Sequence, residues 1–322
     1  MIHLLHRLAL LVFCATLASA CQRSTPANTS DSDSNLDSDI AADPAEPEAG
    51  FFTRRIVAIG DVHGDLASAR EALELAGAVN ADDVWVGGDL IVVQLGDQTD
   101  RGDDELEILE WFEALQADAA AAGGEFHSLL GNHEIMNVQQ DWRYVTPGGF
   151  EDFADFAETP DDPSLEGVDP ALHGRIAAFR PGGPWATRLA EHPVVLQLGD
   201  TVFVHGGLEP EYAALGLDAI NESVAAWMRG EAEEPDVVRG ADTPIWSRDY
   251  SSETGADDCA TLAETLELLG AERMVVGHTV QQEGITSACD GRVWRVDVGL
   301  ADYYGGETQV LEIVGDEVGV LR

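Results

Sequence analysis

The stretch Ile91-Val92-Val93-Gln94-Leu95-Gly96-Asp97-Gln98-Thr99-Asp100-Arg101-Gly102 carries a β-branched run straight into a turn that holds two carboxylates and a guanidinium. Such a run reads as a buried strand, and the bordering glycines read as a tight loop at its end. Four more segments repeat the arrangement. They are Gly60-Asp61-Val62-His63-Gly64, Gly131-Asn132-His133-Glu134, Val204-His205-Gly206-Gly207 and Gly277-His278-Thr279, each behind an apolar run. Asp, His and Asn side chains at the ends of successive strands imply an α/β fold whose site gathers beyond the strands' carboxyl ends.

The surrounding pattern supports that class. Strands are predicted over Arg54–Ile59, Val84–Val86, Leu90–Leu95 and Phe126–Leu130, with a hairpin turn at Gly87-Gly88-Asp89. Leu66–Ala76 and Asp104–Ala122 read as helices, the second with acidic residues in its first turn, which suits the helix dipole. Val194–Leu198 and Thr201–Val204 should pair around Gly199-Asp200, and Leu262–Leu269 is helical in pattern. Met274–Val276, Arg292–Val298, Gln309–Val314 and Val318–Leu321 complete the strands. Two packed sheets with helices outside are expected. Residues 139–192 break the rhythm with aromatic residues and two Pro-Gly clusters, and read as a mostly helical insertion beside the site. That insertion is either a stabilising embellishment or a wall that selects substrate.

Composition excludes some classes. The 322 residues carry a formal net charge of -43, with 60 acidic residues against 17 basic ones, all of them Arg. Such a surface repels nucleic acid and anionic lipid. Met1–Ala20 combines Arg7, an apolar run and a small-residue end, the pattern of a secretory signal whose apolar run is too short for a permanent span. Cys21 follows at once and resembles a bacterial lipoprotein acceptor, although Ala18 stands where Leu is usual. Lipidation at Cys21 would tether the chain to a leaflet, and the acidic, Ser- and Pro-rich stretch to residue 50 would be a disordered stalk. The expected address is the bacterial cell envelope or periplasm, with residues 51–322 as the catalytic domain and the lipid as the only membrane contact. Cys259 and Cys289 match no zinc spacing and could bridge after export.

The chemistry follows from the donors. Asp61, His63, Asp97, Asn132, His205 and His278 offer mixed nitrogen and oxygen ligands, which suit Mn or Fe, or Zn, better than Ca. Asp61 and His63 flank Val62, so in extended chain both face one side. Asp97 could bridge two ions with its two oxygens. Two such ions clamp a phosphoryl oxygen and bring the pKa of a bound water toward about 7. Arg101 can grip phosphate as a fork, with Arg248 as a more distant second clamp. His133, beside Asn132, can protonate a leaving oxygen, with Asp100 to orient it. Taken singly, Gly-Asp is ordinary turn chemistry, and His127, His173 and His192 read as packing residues. Asp89 mimics the ligand turn but lacks the Asp-Arg-Gly that follows Asp97, and reads as a plain turn.

The set GDVHG, GDQTDRG, GNHE, VHGG and GHT resembles the calcineurin-like metallophosphoesterases of the phosphoprotein phosphatase branch. The GNHEIMN string at Gly131–Asn137 and the run Trp246-Ser247-Arg248-Asp249-Tyr250 are most similar to the bacterial Shewanella-like phosphatases. The resemblance implies that family's fold, a central two-sheet β-sandwich flanked by helices. It implies one metal on Asp61, His63 and Asp97 and another on Asp97, Asn132, His205 and His278. It further implies phosphate ligands at Arg101, Arg248 and Asn132, and direct attack by metal-bound hydroxide with His133 as general acid supported by Asp100. Substrates would be phosphorylated protein, peptide or a small phosphoester. The alternatives are a phosphoanhydride hydrolase of the diadenosine tetraphosphatase type and a catalytically silent envelope lipoprotein. The Ser-Ala-Pro-Asn-Tyr segment of eukaryotic members is missing, since Asp297–Tyr304 reads DVGLADYY. Eukaryotic-style regulatory subunits are therefore not expected.

Overall fold

Three parallel strands set the frame of the first half: β1 (Arg55–Ile59), β2 (Ile91–Gln94) and β3 (Glu125–Ser128), with every β2 residue buried. The computed structural model describes residues 54–157 and 165–322. Two helices make the crossovers, α1 (Leu66–Leu75) and α2 (Glu105–Ala122). A strand buried on both faces must be apolar throughout, which is what the Ile91-Val92-Val93 run supplies. The antiparallel pair β9 (Val310–Val314) and β10 (Glu317–Leu321) completes a five-stranded sheet ordered β10-β9-β1-β2-β3.

The second sheet has the order β4-β5-β6-β8-β7. Its strands are β4 (Val195–Leu198), β5 (Thr201–Val204), β6 (Arg273–Val276), β7 (Thr286–Ala288) and β8 (Val293–Arg295). β5, β6 and β8 run parallel, and β4 pairs antiparallel with β5. Ile59 and Val93 of the first sheet share one buried cluster with Phe203 and Val275 of the second, so the sheets pack face to face. A second cluster covers the outer face of sheet two with α3 (Asn132–Val138), α5 (His173–Phe179), α6 (Pro184–Leu189), α8 (Leu217–Met228) and α9 (Ala256–Leu269). The short α4 (Pro147–Asp152) and α7 (Pro210–Ala213) are the remaining α-helices among the described residues. The α/β class, the two sheets and the flanking helices are those expected.

Several local expectations differ from what forms. Val84–Val86 is not a strand but a single bridge between Val79 and Trp85, with Val84 and Val86 51% and 55% exposed. The Asn80 side chain accepts from the Val84 N–H at 3.1 Å, which takes the donor a ladder would need. Arg292–Val298 keeps strand pairing only over β8, because the chain then leaves the sheet toward the site. α3, α7, α8 and β7 form in addition to the expected elements. The 139–192 segment holds α4, α5 and α6 and single helical turns, and residues 158–164 lie outside the described chain. The signal segment, Cys21 and the acidic stalk also lie outside it. Among the described residues no helix is long and apolar enough to cross a membrane.

Cys259, in the first turn of α9, is bridged to Cys289 just after β7, with 5.3 Å between Cα atoms and a sequence separation of 30. Closing a loop of that length restricts the unfolded chain by about 3 kcal/mol. Reduction, or Cys259→Ser, is therefore expected to lower the unfolding free energy by about 3 kcal/mol in urea titrations. Superimposable unfolding curves with and without reductant would refute this.

Candidate metal centre

The donors sit where parallel strands end. Asp61 and His63 follow β1, Asp97 follows β2, and Asn132 opens α3 after β3. His205 follows β5 and His278 follows β6. All six are buried. The turns are severe: His63, Asp97 and His278 have φ of 44°, 54° and 66°, the left-handed region that side chains with a Cβ avoid. Two glycines allow the close approach. A Cβ on Gly131 would lie 2.2 Å from Asp97 Oδ1, and one on Gly277 2.6 Å from Asp61 Oδ1.

Two sets of ligand atoms share one carboxylate. His63, Asp97 and His133 offer atoms within 4.8 Å of one another, and so do Asp97, His205 and His278. Asp97 Oδ2 lies 3.3 Å from His205 Nε2, 3.7 Å from His63 Nε2 and 3.8 Å from His133 Nε2. Asp97 Oδ1 instead accepts the His133 backbone N–H at 2.9 Å. One oxygen thus faces both imidazole sets, where two oxygens were expected to share the task. Asn132 Oδ1 is 3.0 Å and His278 Nδ1 is 3.1 Å from His205 Nε2, so those three donors converge. Asp61 lies 3.9 Å from His63 Nε2 and accepts the His278 backbone N–H at 3.3 Å, across 217 residues of sequence.

The imidazoles are aimed by backbone. His205 Nδ1 is 2.8 Å from the Leu95 carbonyl and His63 Nδ1 is 3.2 Å from the Thr99 carbonyl. A carbonyl only accepts, so each Nδ1 carries a proton and each Nε2 is the atom turned toward the site. The electrostatics match. Burial and then repulsion from Asp297 and Asp97 push Asp61 well above the usual carboxylate range. Burial pushes Asp97 the same way, but His205, His133 and His63 outweigh it and hold Asp97 well below its usual range. Burial and His133 bring His63 down to about 3, and burial with His205 and Arg248 keeps His278 well below its ordinary value. Burial opposes the charged form of His205, but Asp97 raises it on balance. The neutral imidazoles of His63 and His278, beside mutually repelling carboxylates, are ready to receive a cation. His278 Nε2 is buried with no hydrogen-bond partner. The residues present fit divalent ions with mixed nitrogen and oxygen ligands.

Around these donors lies a supporting ring. Glu134, fully buried, accepts from the N–H groups of Gly131, Asp97, Gln98 and Thr99 and from Thr99 Oγ1, at 2.8–3.2 Å. It fixes the loop that carries Asp97 and caps α3 from its third position. His133 Nδ1 donates to Asp100 Oδ2 at 2.6 Å. Burial lowers the basicity of His133, but Asp97 and Asp100 raise it on balance. Arg101 is half-buried, with its guanidinium 4.3 Å from the Tyr144 ring centre and 4.7 Å from that of Tyr303, and its Nε has no partner. Arg248 is exposed and donates to the His278 carbonyl at 2.9 Å and to Thr279 Oγ1 at 2.7 Å. Asp89 is exposed in a turn before β2, at the opposite end of that strand from Asp97. His127, His173 and His192 lie outside the ligand groups.

Sequence reading gave no role to four buried residues here. Asp297, after β8, is raised to about 6, chiefly by burial, and adds a further carboxylate beside Asp61. The parallel β6–β8 pairing is the signal that placed it. Glu134 closes the GNHE motif but holds the N–H groups of the Asp97 loop rather than a metal. Asn137, one turn on from His133, donates to the His133 carbonyl at 2.9 Å and to Asp100 Oδ1 at 3.0 Å. Arg175, on α5, donates to Asp100 Oδ1 at 3.1 Å.

Residues 54–282 match the family model described as calcineurin-like phosphoesterase. The chain is 40% identical over 316 residues to Shewanella-like protein phosphatase 2 of Arabidopsis thaliana, covering 86% of this chain and 81% of that protein. It is 27% identical over 256 residues to Shewanella-like protein phosphatase 1 of Plasmodium berghei, covering 77% and 67% respectively. Its fold is similar to that of the cold-active protein-tyrosine phosphatase of a psychrophile Shewanella species, at TM-score 0.63 and 24% identity over 84% of this chain and 80% of that one.

Glu134→Gln would place an amide N–H against donors that now meet a carboxylate. Outer-ring changes of this kind weaken metal affinity by about 10–100-fold. Mn titrations of the variant are expected to show that shift while circular dichroism stays unchanged. Wild-type affinity in Glu134→Gln would remove Glu134 from the account.

Proposed function

The chain belongs to the calcineurin-like phosphoesterases and is a metal-dependent phosphatase, and from that premise we propose that it hydrolyses phosphomonoesters on protein or peptide substrates. The observation that carries the reading is Asp97 Oδ2 facing both imidazole sets, with the His133–Asp100 pair beside it. Asp61, His63 and Asp97 would hold one cation, and Asp97, Asn132, His205 and His278 the other; Mn or Fe suits these ligands, with Zn a third fit. Bound divalent ions draw charge from phosphoryl oxygens and acidify water.

The chain's own residues do the rest. Arg101, Arg248 and Asn132 bind the non-bridging phosphate oxygens. The orphaned Nε of Arg101 supports this, since a buried donor calls for an acceptor. The Tyr144 and Tyr303 rings brace its guanidinium without neutralising it. His133 Nε2 gives its proton to the leaving oxygen while Asp100 holds Nδ1–H and favours the charged ring. Water is the acceptor of the phosphoryl group, with no covalent enzyme intermediate. The relatives named as protein phosphatases support a phosphoprotein substrate. The Met1–Ala20 pattern followed by Cys21 supports export to the bacterial envelope on a lipid anchor.

Turnover of p-nitrophenyl phosphate should need added Mn or Fe and stop on chelation. His133→Asn is expected to lower kcat by about 10²–10⁴-fold on esters with poor leaving groups. A panel of phosphoserine peptide, phosphotyrosine peptide and diadenosine tetraphosphate should favour a peptide; preference for the dinucleotide would overturn the substrate class. For the anchor, metabolic labelling with a tritiated fatty acid should mark the wild-type chain and not Cys21→Ala. Equal labelling, or none in either, would sink that part of the proposal.

A further inference from the structure

Arg175 lies in the 139–192 segment, far in sequence from every ligand motif, yet its guanidinium is fully buried against the site. Nε donates to Asn137 Oδ1 at 2.7 Å, and one terminal nitrogen donates to the Gly149 carbonyl at 2.6 Å. The other donates to Asp100 Oδ1 at 3.1 Å and to Glu105 Oε2 at 2.6 Å. The rings of Phe153 and Phe179, each 5.1 Å from the guanidinium carbon, close the space around it. All four hydrogen bonds therefore form away from water. A lysine has no planar fork and cannot reproduce them together.

The chain of contacts leads to the reacting end of the site. Asp100 uses Oδ2 for His133 Nδ1 and Oδ1 for Arg175 and Asn137. Both oxygens are thus fixed, and the carboxylate plane with them. Asn137 also holds the His133 carbonyl, so the ring and its partner are located from the same point. Asp100 itself has φ of 68°, a turn that needs support. Without Arg175, Asp100 and Glu105 would be two buried carboxylates with one cation fewer between them.

We propose that Arg175 is the positioning residue of the Asp100–His133 pair, so that the 139–192 segment completes the catalytic site and does more than cover it. This rests on the reading of His133 as the proton donor. Loss of Arg175 frees the Asp100 carboxylate to rotate, and His133 loses its fixed direction toward the leaving oxygen. The cost then grows with the basicity of the leaving group, because only poor leaving groups need the proton.

The test uses the full chain loaded with Mn, as wild type, Arg175→Met, Arg175→Lys and His133→Asn. Phenyl phosphate and p-nitrophenyl phosphate serve as the poor and good leaving groups. Arg175→Met is expected to lose about 10–100-fold more kcat on phenyl phosphate than on p-nitrophenyl phosphate, with KM nearly unchanged, and Arg175→Lys to fall between. Independently of turnover, and with diamagnetic Zn in place of Mn, the downfield N–H signal of His133 donating to Asp100 should be present in ¹⁵N-histidine-labelled wild type and lost or broadened in Arg175→Met. Equal losses on both esters with the N–H signal intact would overturn the proposal and leave Arg175 a packing residue. If Arg175→Met does not fold, Arg175→Lys carries the same comparison. If His133→Asn itself shows no leaving-group dependence, the proton-donor reading of His133 is what fails, and the N–H signal alone then decides whether Arg175 positions the pair.

Discussion

A single carboxylate oxygen, Asp97 Oδ2, must face two groups of imidazoles at once, and most of the unusual features of this chain serve that placement. The strand must end and turn within one residue, which forces Asp97 to φ 54°. Gly131 must come so close that no Cβ is tolerated. The turned loop exposes N–H groups that lie too deep for water, and Glu134 accepts three of them together with that of Gly131. Left-handed residues other than glycine cost about 1–3 kcal/mol each. Nine occur among the described residues, and five of them are His63, Asp97, Asp100, Arg101 and His278. The strain is concentrated on the site and has to be offset by the packing around it.

That packing is the sandwich itself. Asp61, Asp97 and Asn132 come from the first sheet, and His205, His278 and Asp297 from the second. The first sheet also carries His63, but the set that Asp97 and Asn132 begin is completed only by His205 and His278 across the sandwich. The cluster that joins Ile59 and Val93 to Phe203 and Val275 holds the two halves of the site in register, so core packing and ligand geometry share one cause. The 139–192 segment extends this logic to the proton donor, because Tyr144 stacks on the Arg101 side and Arg175 buries itself behind Asp100.

How much of this the sequence reveals depends on the range of the interaction. The motif segments are legible because Gly, a ligand and an apolar run occur within six residues, and strand ends determine where they point. β2 is legible for the same reason. α8 carries Ile220, Val224 and Trp227 at helical spacing, so its sequence holds a helical signal too. Val84–Val86 misleads because a β-branched pattern cannot report that the Asn80 side chain takes the ladder donor. Asp297 and Arg175 are illegible for a deeper reason. No local pattern distinguishes them from surface acids and bases in a chain with 60 acidic residues and 17 arginines. Only the parallel seating of β8 beside β6, and the folding of α5 against α3, gives them partners.

The same excess of acid poses the last physical question, since a chain of net charge -43 has to receive a phosphate anion. Screening answers part of it, because charges beyond about 8–10 Å are largely hidden at physiological salt. The local answer lies in how the arginines are partnered. Arg54, Arg55, Arg70, Arg143 and Arg229 each pair with a nearby carboxylate. Among the described residues neither Arg101 nor Arg248 has a carboxylate within ion-pairing distance. Arg101 rests among tyrosine rings, and Arg248 on a carbonyl and a hydroxyl. Neutral partners hold a guanidinium in place while leaving its charge uncompensated. A surface carboxylate in place of Tyr144 or Thr279 would be ordinary for this composition, and it would cancel the field that the site requires. The acidity of the chain and the neutrality of these few neighbours are therefore two sides of one constraint: the more negative the surface, the more carefully the arginines at the mouth of the site must be kept from it.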